Sequence, residues 1–451
     1  ITAQNQDGKL VLLYGQNGSE SANYYIKNGA QINLKAGQNF STQKSTDVSK
    51  RIDYKVVTDL QALQNINNAL AGNYVLGIDI DAMVTKDWGV GAEKGFNPLG
   101  NEFDYFTGRF DGLGHTVSHL MINRPYSYDV GLFGHIDGAV IRNVGLVDGS
   151  VIGDSFVGGL VGQSGHQSLV ENVFNTGSVQ GYGTVGGLVG GNFDGSTIKN
   201  AYATGNVTGT QNSTYIGGLV GGNDGAVIEN VYASGNVNGT DIVGGLVGDN
   251  NHGGTINNAY ATGTVTGEQN VGGLVGNNYY DAEVKNAYAT GAVTGNDRVG
   301  GLVGENLAAK IENTYALGKV TGATAIGGLL GKNVQGIVTN SYWGKNKTGL
   351  DSSSGSANTS GLTSDEMFNA NKFVGFDFDK IWANADNQTT PYFKDHIGPN
   401  QVVNKQDQLG GYYSVIQNLN QLQNINQNLA GNYLLGNGID AKNSQFWGDA
   451  N

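Results

Sequence analysis

Cysteine is absent from this chain of 451 residues, so it can hold neither a disulfide framework nor a thiolate metal site. In a chain crossing an oxidising compartment that absence prevents trapping by oxidation, and chance would leave the same absence. Positive charge is scarce too. Lys and Arg number 25 against 38 Asp and Glu, a formal charge of −13 and the wrong sign for counterion-release binding to nucleic acid. No run approaches the roughly 18 to 20 apolar residues needed to span a bilayer, so membrane insertion is not expected. The opening ITAQNQDGKL lacks the basic stretch and apolar run of a signal peptide, which leaves a chain that is not exported or an internal piece of a longer one. None of the six histidines is followed by Glu, which excludes a His-Glu-x-x-His zinc helix. Proline numbers only 4, and with 74 glycines the two make about 17% of the chain, below the composition of unstructured low-complexity sequence.

What is present is repetition. Gly-Gly-Leu-Val-Gly begins at Gly158, Gly186, Gly217, Gly244, Gly272 and Gly300, and Gly-Gly-Leu-Leu-Gly at Gly327, with spacings of 28, 31, 27, 28, 28 and 27 residues. A degenerate copy lies at Gly131 to Gly134. Downstream in each unit a second stretch aligns. A β-branched position holds Val170, Ile198, Ile228, Ile256, Val284, Ile311 and Val338. Two residues on stand Asn172, Asn200, Asn230, Asn258, Asn286, Asn313 and Asn340, and two further on Phe174, Tyr202, Tyr232, Tyr260, Tyr288, Tyr315 and Tyr342. Between the first two sits a mostly polar position: Glu171, Lys199, Glu229, Asn257, Lys285 and Glu312.

Period-2 alternation in a strand places the Ile, Asn and Tyr of each unit on one inward face and Glu229 with its equivalents on the other. A strand with two apolar side chains cannot bury itself, so units must stack and share one core. The expectation is an all-β chain: a parallel β-helix, or solenoid, taken as right-handed, with two or three strands per coil. Stacked coils align Tyr on Tyr and hydrogen-bond the Asn amides up a ladder. The glycines suit tight corners, through positive φ or close backbone approach. In Gly-Gly-Leu-Val-Gly both Leu and Val are apolar, and periodicity leaves open which face is covered.

TDLQALQNINNALAGNYVLG, from Thr58 to Gly77, reads as a short amphipathic helix with Thr58 as N-cap, Leu60, Leu63, Ile66 and Leu70 at helical spacing and Gly72 as the stop. The same text returns as NLNQLQNINQNLAGNYLLGNGIDA at Asn418 to Ala441, so Tyr74, Asp81 and Trp88 match Tyr433, Asp440 and Trp447. Each module therefore carries such a helix near its start. The divisions expected are 1–53, β-rich lead-in coils; 54–345, the solenoid module, with regular coils over 131–345; 346–411, a polar excursion and aromatic junction or cap; and 412–451, the start of a second module.

The repeated Gly-Gly-Leu-Val-Gly with its Asn-Ala-Tyr-Ala-Thr-Gly partner resembles the GLUG motif of large bacterial surface proteins. The stretches GNYVLGIDID, FNPLG, FTGRFDGLGHTVSHLMINRP, VGLFGHI and IRNVGLVDGSV resemble passengers of two-partner-secreted, filamentous-haemagglutinin-like and high-molecular-weight adhesins. GLTSDEM, FDFDKIW and PYF are similar to the usual end of a GLUG array. The resemblance implies a secreted or cell-surface rod that attaches to host cells, other bacteria or an exopolysaccharide matrix in biofilm, with an outer-membrane secretion partner for the full-length protein. GLUG arrays also occur in some metallopeptidases. The alternatives are a β-helical polysaccharide-processing enzyme and a ligand-free spacer.

Residues with chemistry are few. In FDGLGHT and its surroundings, Asp104, Asp111, His115 and His119 lie close in sequence, but glycoside hydrolysis needs two carboxylates about 5 to 9.5 Å apart in a cleft, and turn and corner roles are expected instead. No enzyme is expected. GIDIDA and DFD offer hard oxygen ligands, yet no calcium-binding motif is present, so no cofactor and no metal are expected and these read as solvated acidic loops. The tyrosine series from Tyr202 to Tyr342 reads as core. Tyr126, Tyr128, Tyr182, Tyr215, Tyr279 and Tyr280, placed in loops, are the candidate contacts for a glycan, exopolysaccharide or host receptor. Sequons at Asn17, Asn39, Asn206, Asn212, Asn238, Asn346, Asn358 and Asn387 occur at a level expected of an Asn-rich chain.

Overall fold

One repeat folds into one coil of four short strands rather than two or three: β1 (Val227–Ala233), β2 (Val237–Asn238), β3 (Asp241–Gly244) and β4 (Val247–Asn251). Each pairs in parallel with its equivalents one repeat away. β1 lies between Thr197–Ala203 and Thr255–Ala261, β2 between Val207–Gly209 and Val265–Thr266, β3 between Ile216–Gly217 and Gln269–Gly272, and β4 between Val220–Asp224 and Val275–Tyr279. The chain is thus an all-β parallel solenoid. It is seen here in a computed structural model that describes residues 1–3, 9–15, 23–26, 29–354, 359–407 and 410–439. Asp440, Trp447 and the sequons at Asn17 and Asn358 lie outside the described residues.

The expected shared face for Ile, Asn and Tyr is wrong, and the Asn is the reason. Asn200, Asn230 and Asn258 hold φ of 50, 53 and 52°, a left-handed conformation that Asn tolerates better than most residues. This bend inside β1 resets the alternation. Ile228 and Val231, three apart, both reach the central core, while Glu229 is exposed and Tyr232 joins a separate apolar cluster on the outside of the coil. Non-glycine residues therefore hold this positive-φ position. The Gly-Gly pair serves close approach instead: a Cβ on Gly186 would sit 2.0 Å from the Val189 carbonyl oxygen, and one on Gly187 2.2 Å from that of Gly218 in the next coil. The open question of Leu and Val resolves at a corner. Leu188 and Val189 flank the bend between Val185–Gly186 and Val189–Phe193, so both point inward and both are fully buried.

A second asparagine column runs unbroken through the interior. Each amide nitrogen from Asn192 through Asn223, Asn250, Asn278 and Asn306 to Asn333 donates to the next carbonyl oxygen at 2.7–2.8 Å. The spare amide hydrogens of Asn223 and Asn250 go to the Ala226 and Gly254 carbonyls, so these interior amides are satisfied, while the Asn192 carbonyl oxygen at the head of the column has no donor among the described residues.

Helix α1 (Leu60–Gln64) is shorter than expected, and its N-cap is Asp59, whose carboxylate accepts from the Ala62 amide at 2.7 Å. Leu60, Leu63 and Ile66 still enter the main core. The repeated text builds α2 (Leu419–Gln423), capped in the same way by Asn418. At the other end the Ser-rich stretch closes the coil stack. Ser352 O accepts from Gly328 N, the Ser353 hydroxyl accepts from Leu330 N, and Leu350 packs on the core. The aromatic stretch that follows turns back along the outside of the solenoid.

Candidate binding surface

Four of the six candidate tyrosines share one corner of the rod. The Asp154 amide donates to Ser127 O at 2.9 Å, the Tyr182 amide to Asp154 O at 2.7 Å, and the Thr214 amide to Tyr182 O at 3.2 Å. These bonds stack the turns that carry Tyr126, Tyr128, Tyr182 and Tyr215, residues that are 79, 56, 50 and 38% exposed. Tyr105, overlooked in the sequence, joins them by packing on His135 at 4.3 Å, and His135 is bonded to Asp129 beside Tyr128. Tyr128 lies in a strand (Tyr128–Val130) rather than in a loop, as does Tyr279 (Val275–Tyr279). Tyr279 and Tyr280 fall on a different corner, at the end of the counterpart of β4. Tyr279 donates to Glu305 at 2.6 Å, and Tyr280 stacks at 5.7 Å on His252. The Asp224 carboxylate, bonded to His252, holds that imidazole above its ordinary pKa. Near Tyr215, burial pushes the Asp249 carboxyl up to about 6.

The four residues around FDGLGHT do not converge. Asp111 bonds Tyr24, Arg142 and Asn143, at 2.6, 2.9 and 2.9 Å. His115 is buried against Ile32 O and Asp79, His119 pairs with Asp81, and Asp104 lies in an exposed turn. Among the described residues no group of three or more His, Asp or Glu is placed to hold a metal ion. Among the described residues no helix is long and apolar enough to cross a membrane.

Asp111 instead begins a column of charges that alternate in sign, interrupted once by Asn257. In register stand Asp111, Arg142, Glu171, Lys199, Glu229, Asn257, Lys285 and Glu312. Ion pairs join Arg142 to Asp111 at 2.9 Å, Lys199 to Glu171 at 3.2 Å and Lys285 to Glu312 at 3.1 Å. Tyr24 covers the buried end, with its ring 4.0 Å from the Arg142 guanidinium carbon.

Beside this column the rings of Phe174, Tyr202, Tyr232, Tyr260, Tyr288 and Tyr315 stack face to face, 4.8–5.1 Å apart and within 11° of parallel. Residues 363–407 cover this stack from Tyr232 onward, with Phe373, Phe376, Trp382 and Phe393 against it. The asparagines of the same strands bond only intermittently: Asn172 to Asn143, Asn230 to Asn200 and Asn340 to Asn313, while Asn286 turns to Asn257 rather than Asn258.

Four segments, residues 181–208, 212–238, 267–294 and 295–321, match the GLUG motif. Over 125 residues, 27% of its length, the chain is 42% identical to halomucin from Haloquadratum walsbyi (strain DSM 16790 / HBSQ001), and the match spans 1% of that relative. Among solved structures, a candidate immunoglobulin A1 protease from Bacteroides ovatus aligns over 76% of this chain and 92% of its own, at 20% identity and a TM-score of 0.42. An IgA1 protease aligns over 69% of this chain and 24% of its own, at 18% identity and a TM-score of 0.41.

Proposed function

We propose that this chain is a segment of a secreted, surface-associated rod that attaches through its tyrosine corner to a neutral glycan of a matrix or host surface. The placing of exposed Tyr126 and Tyr128 on one turn, and of Tyr182 and Tyr215 on the second and third turns beyond it along the same corner, carries this reading. Exposed aromatic faces suit the apolar faces of sugar rings, and repeated weak contacts along a stiff body multiply into avidity. The net charge of −13 disfavours polyanionic glycans. The GLUG repeats and the similarity to a far longer relative support a structural, outward-reaching role. Export of the full-length protein through an outer-membrane partner follows the resemblance to two-partner-secreted passengers.

Affinity electrophoresis through gels containing neutral polysaccharides tests this. The wild type is expected to be retarded in at least one gel, and a Y126A/Y128A/Y182A/Y215A variant, folded by circular dichroism, to run free. Equal retardation of both proteins contradicts the reading. Shortening of the polysaccharide by the wild type would replace attachment with processing.

A further inference from the structure

We propose that residues 363–407 are a length reserve: a strap folded against the rod that peels away under tension while the solenoid stays intact. The inference is independent of which ligand the tyrosine corner takes.

The strap leaves and rejoins the rod at one place. Ser364 and Asp365 near its start line the same cleft as Asp407 and Gly410 at its end, beside Gly344 and Lys347. Between these points it runs out along the tyrosine stack and back. It meets Tyr342 through Val374 O, Tyr315 through Pro391 O, Tyr260 through Pro399 O, and the Tyr232 ring at Gly398. The loop is closed by the Lys347 ammonium on Gly410 O and by the Tyr412 hydroxyl on Leu317 O at 3.2 Å. Tension across the junction therefore bypasses the strap only while these closing contacts hold.

Its attachment differs in kind from that of a coil. The coil β1–β4 is paired on both sides by four backbone ladders. Among the described residues, the strands inside the strap pair with each other or with Tyr412–Ile416, and none pairs with the solenoid. It is held by tyrosine hydroxyls, by His396 on Asn258 O, and by apolar side chains, contacts that a peeling chain breaks a few at a time. Fully drawn out, its 45 residues span about 150 Å.

Single-molecule force spectroscopy on the whole chain, with handles at its two ends, tests this. The expected record begins with a low-force, reversible step that lengthens the chain by about 150 Å, followed by separate higher-force steps of the solenoid. Trp382→Ala should lower the force of the first step alone. A first step that already includes solenoid unfolding, or a variant that lowers all steps alike, overturns the proposal. On the unmodified chain, hydrogen exchange is an independent check: amides of Trp382, Phe393 and Gln401 should exchange together and earlier than those of Val227–Ala233, and equal protection of the two sets would equally overturn it.

Discussion

At the scale of single residues, asparagine plays two parts that its frequency does not distinguish. Asn230 holds a left-handed bend and bonds Asn200, whereas Asn250 is an interior rung. Asn230→Ala is expected to lower unfolding free energy by about 1–2 kcal/mol and Asn230→Gly by less, because glycine meets no steric penalty at positive φ. Glu229→Gln should stay within about 0.5 kcal/mol, since that side chain is exposed. Asn250→Leu should cost about 2–3 kcal/mol, as it strands the Asn223 donor and the Asn278 acceptor in a dry interior. Urea titration of the four variants checks the order. The interior column was legible in principle, because Asn recurs at a fixed offset after every Gly-Gly-Leu-Val-Gly but the first, where Ser164 stands. The bend was not, because a strict period-2 reading has no place for one left-handed residue within a strand.

At the scale of elements, the alternating charges act as a register key, since a slip by one coil would set like charges side by side. The key is strongest where it is buried. The Glu171 side chain is fully buried beneath Lys199, while that of Glu312 is 34% exposed beside Lys285. Lys199→Gln should therefore cost about 2–3 kcal/mol and Lys285→Gln no more than about 0.5, with the second loss vanishing in high salt.

The strap has its own pH dependence. His396 sits among Tyr232, Tyr260 and Phe393, and burial pushes its pKa down to about 3. A released strap takes up a proton below the ordinary value near 6.5 that a docked strap refuses, so docking is at full strength above that pH and weakens progressively toward pH 3. Exchange of the Trp382 and Phe393 amides should accelerate, relative to those of Val227–Ala233, between pH 6.5 and 4, and His396→Phe should flatten that trend. The sequence marks 346–411 as an aromatic junction or cap but not the path of the strap along the tyrosine stack, because the segment carries no repeat and its partners lie up to 139 residues away, as in the bond from Tyr260 to Pro399.

At the scale of the molecule, the solenoid itself was legible, because one unit of about 28 residues recurs too faithfully for any fold but a stack. The tyrosine corner was only partly so: the six tyrosines stood out as exposed candidates, but which of them share an edge depends on the turn where each coil bends. In the stacked rod, equivalent residues of successive coils lie one strand apart along a common axis. The most direct test is electron paramagnetic resonance on spin labels attached to cysteines introduced in pairs, clean in a chain with no cysteine of its own. Labels at Lys199 with Glu229, Asn257, Lys285 and Glu312 in turn are expected to separate by equal steps of about 4.8 Å, with narrow distributions. Distances that fail to grow step by step along that series would contradict the stacked rod.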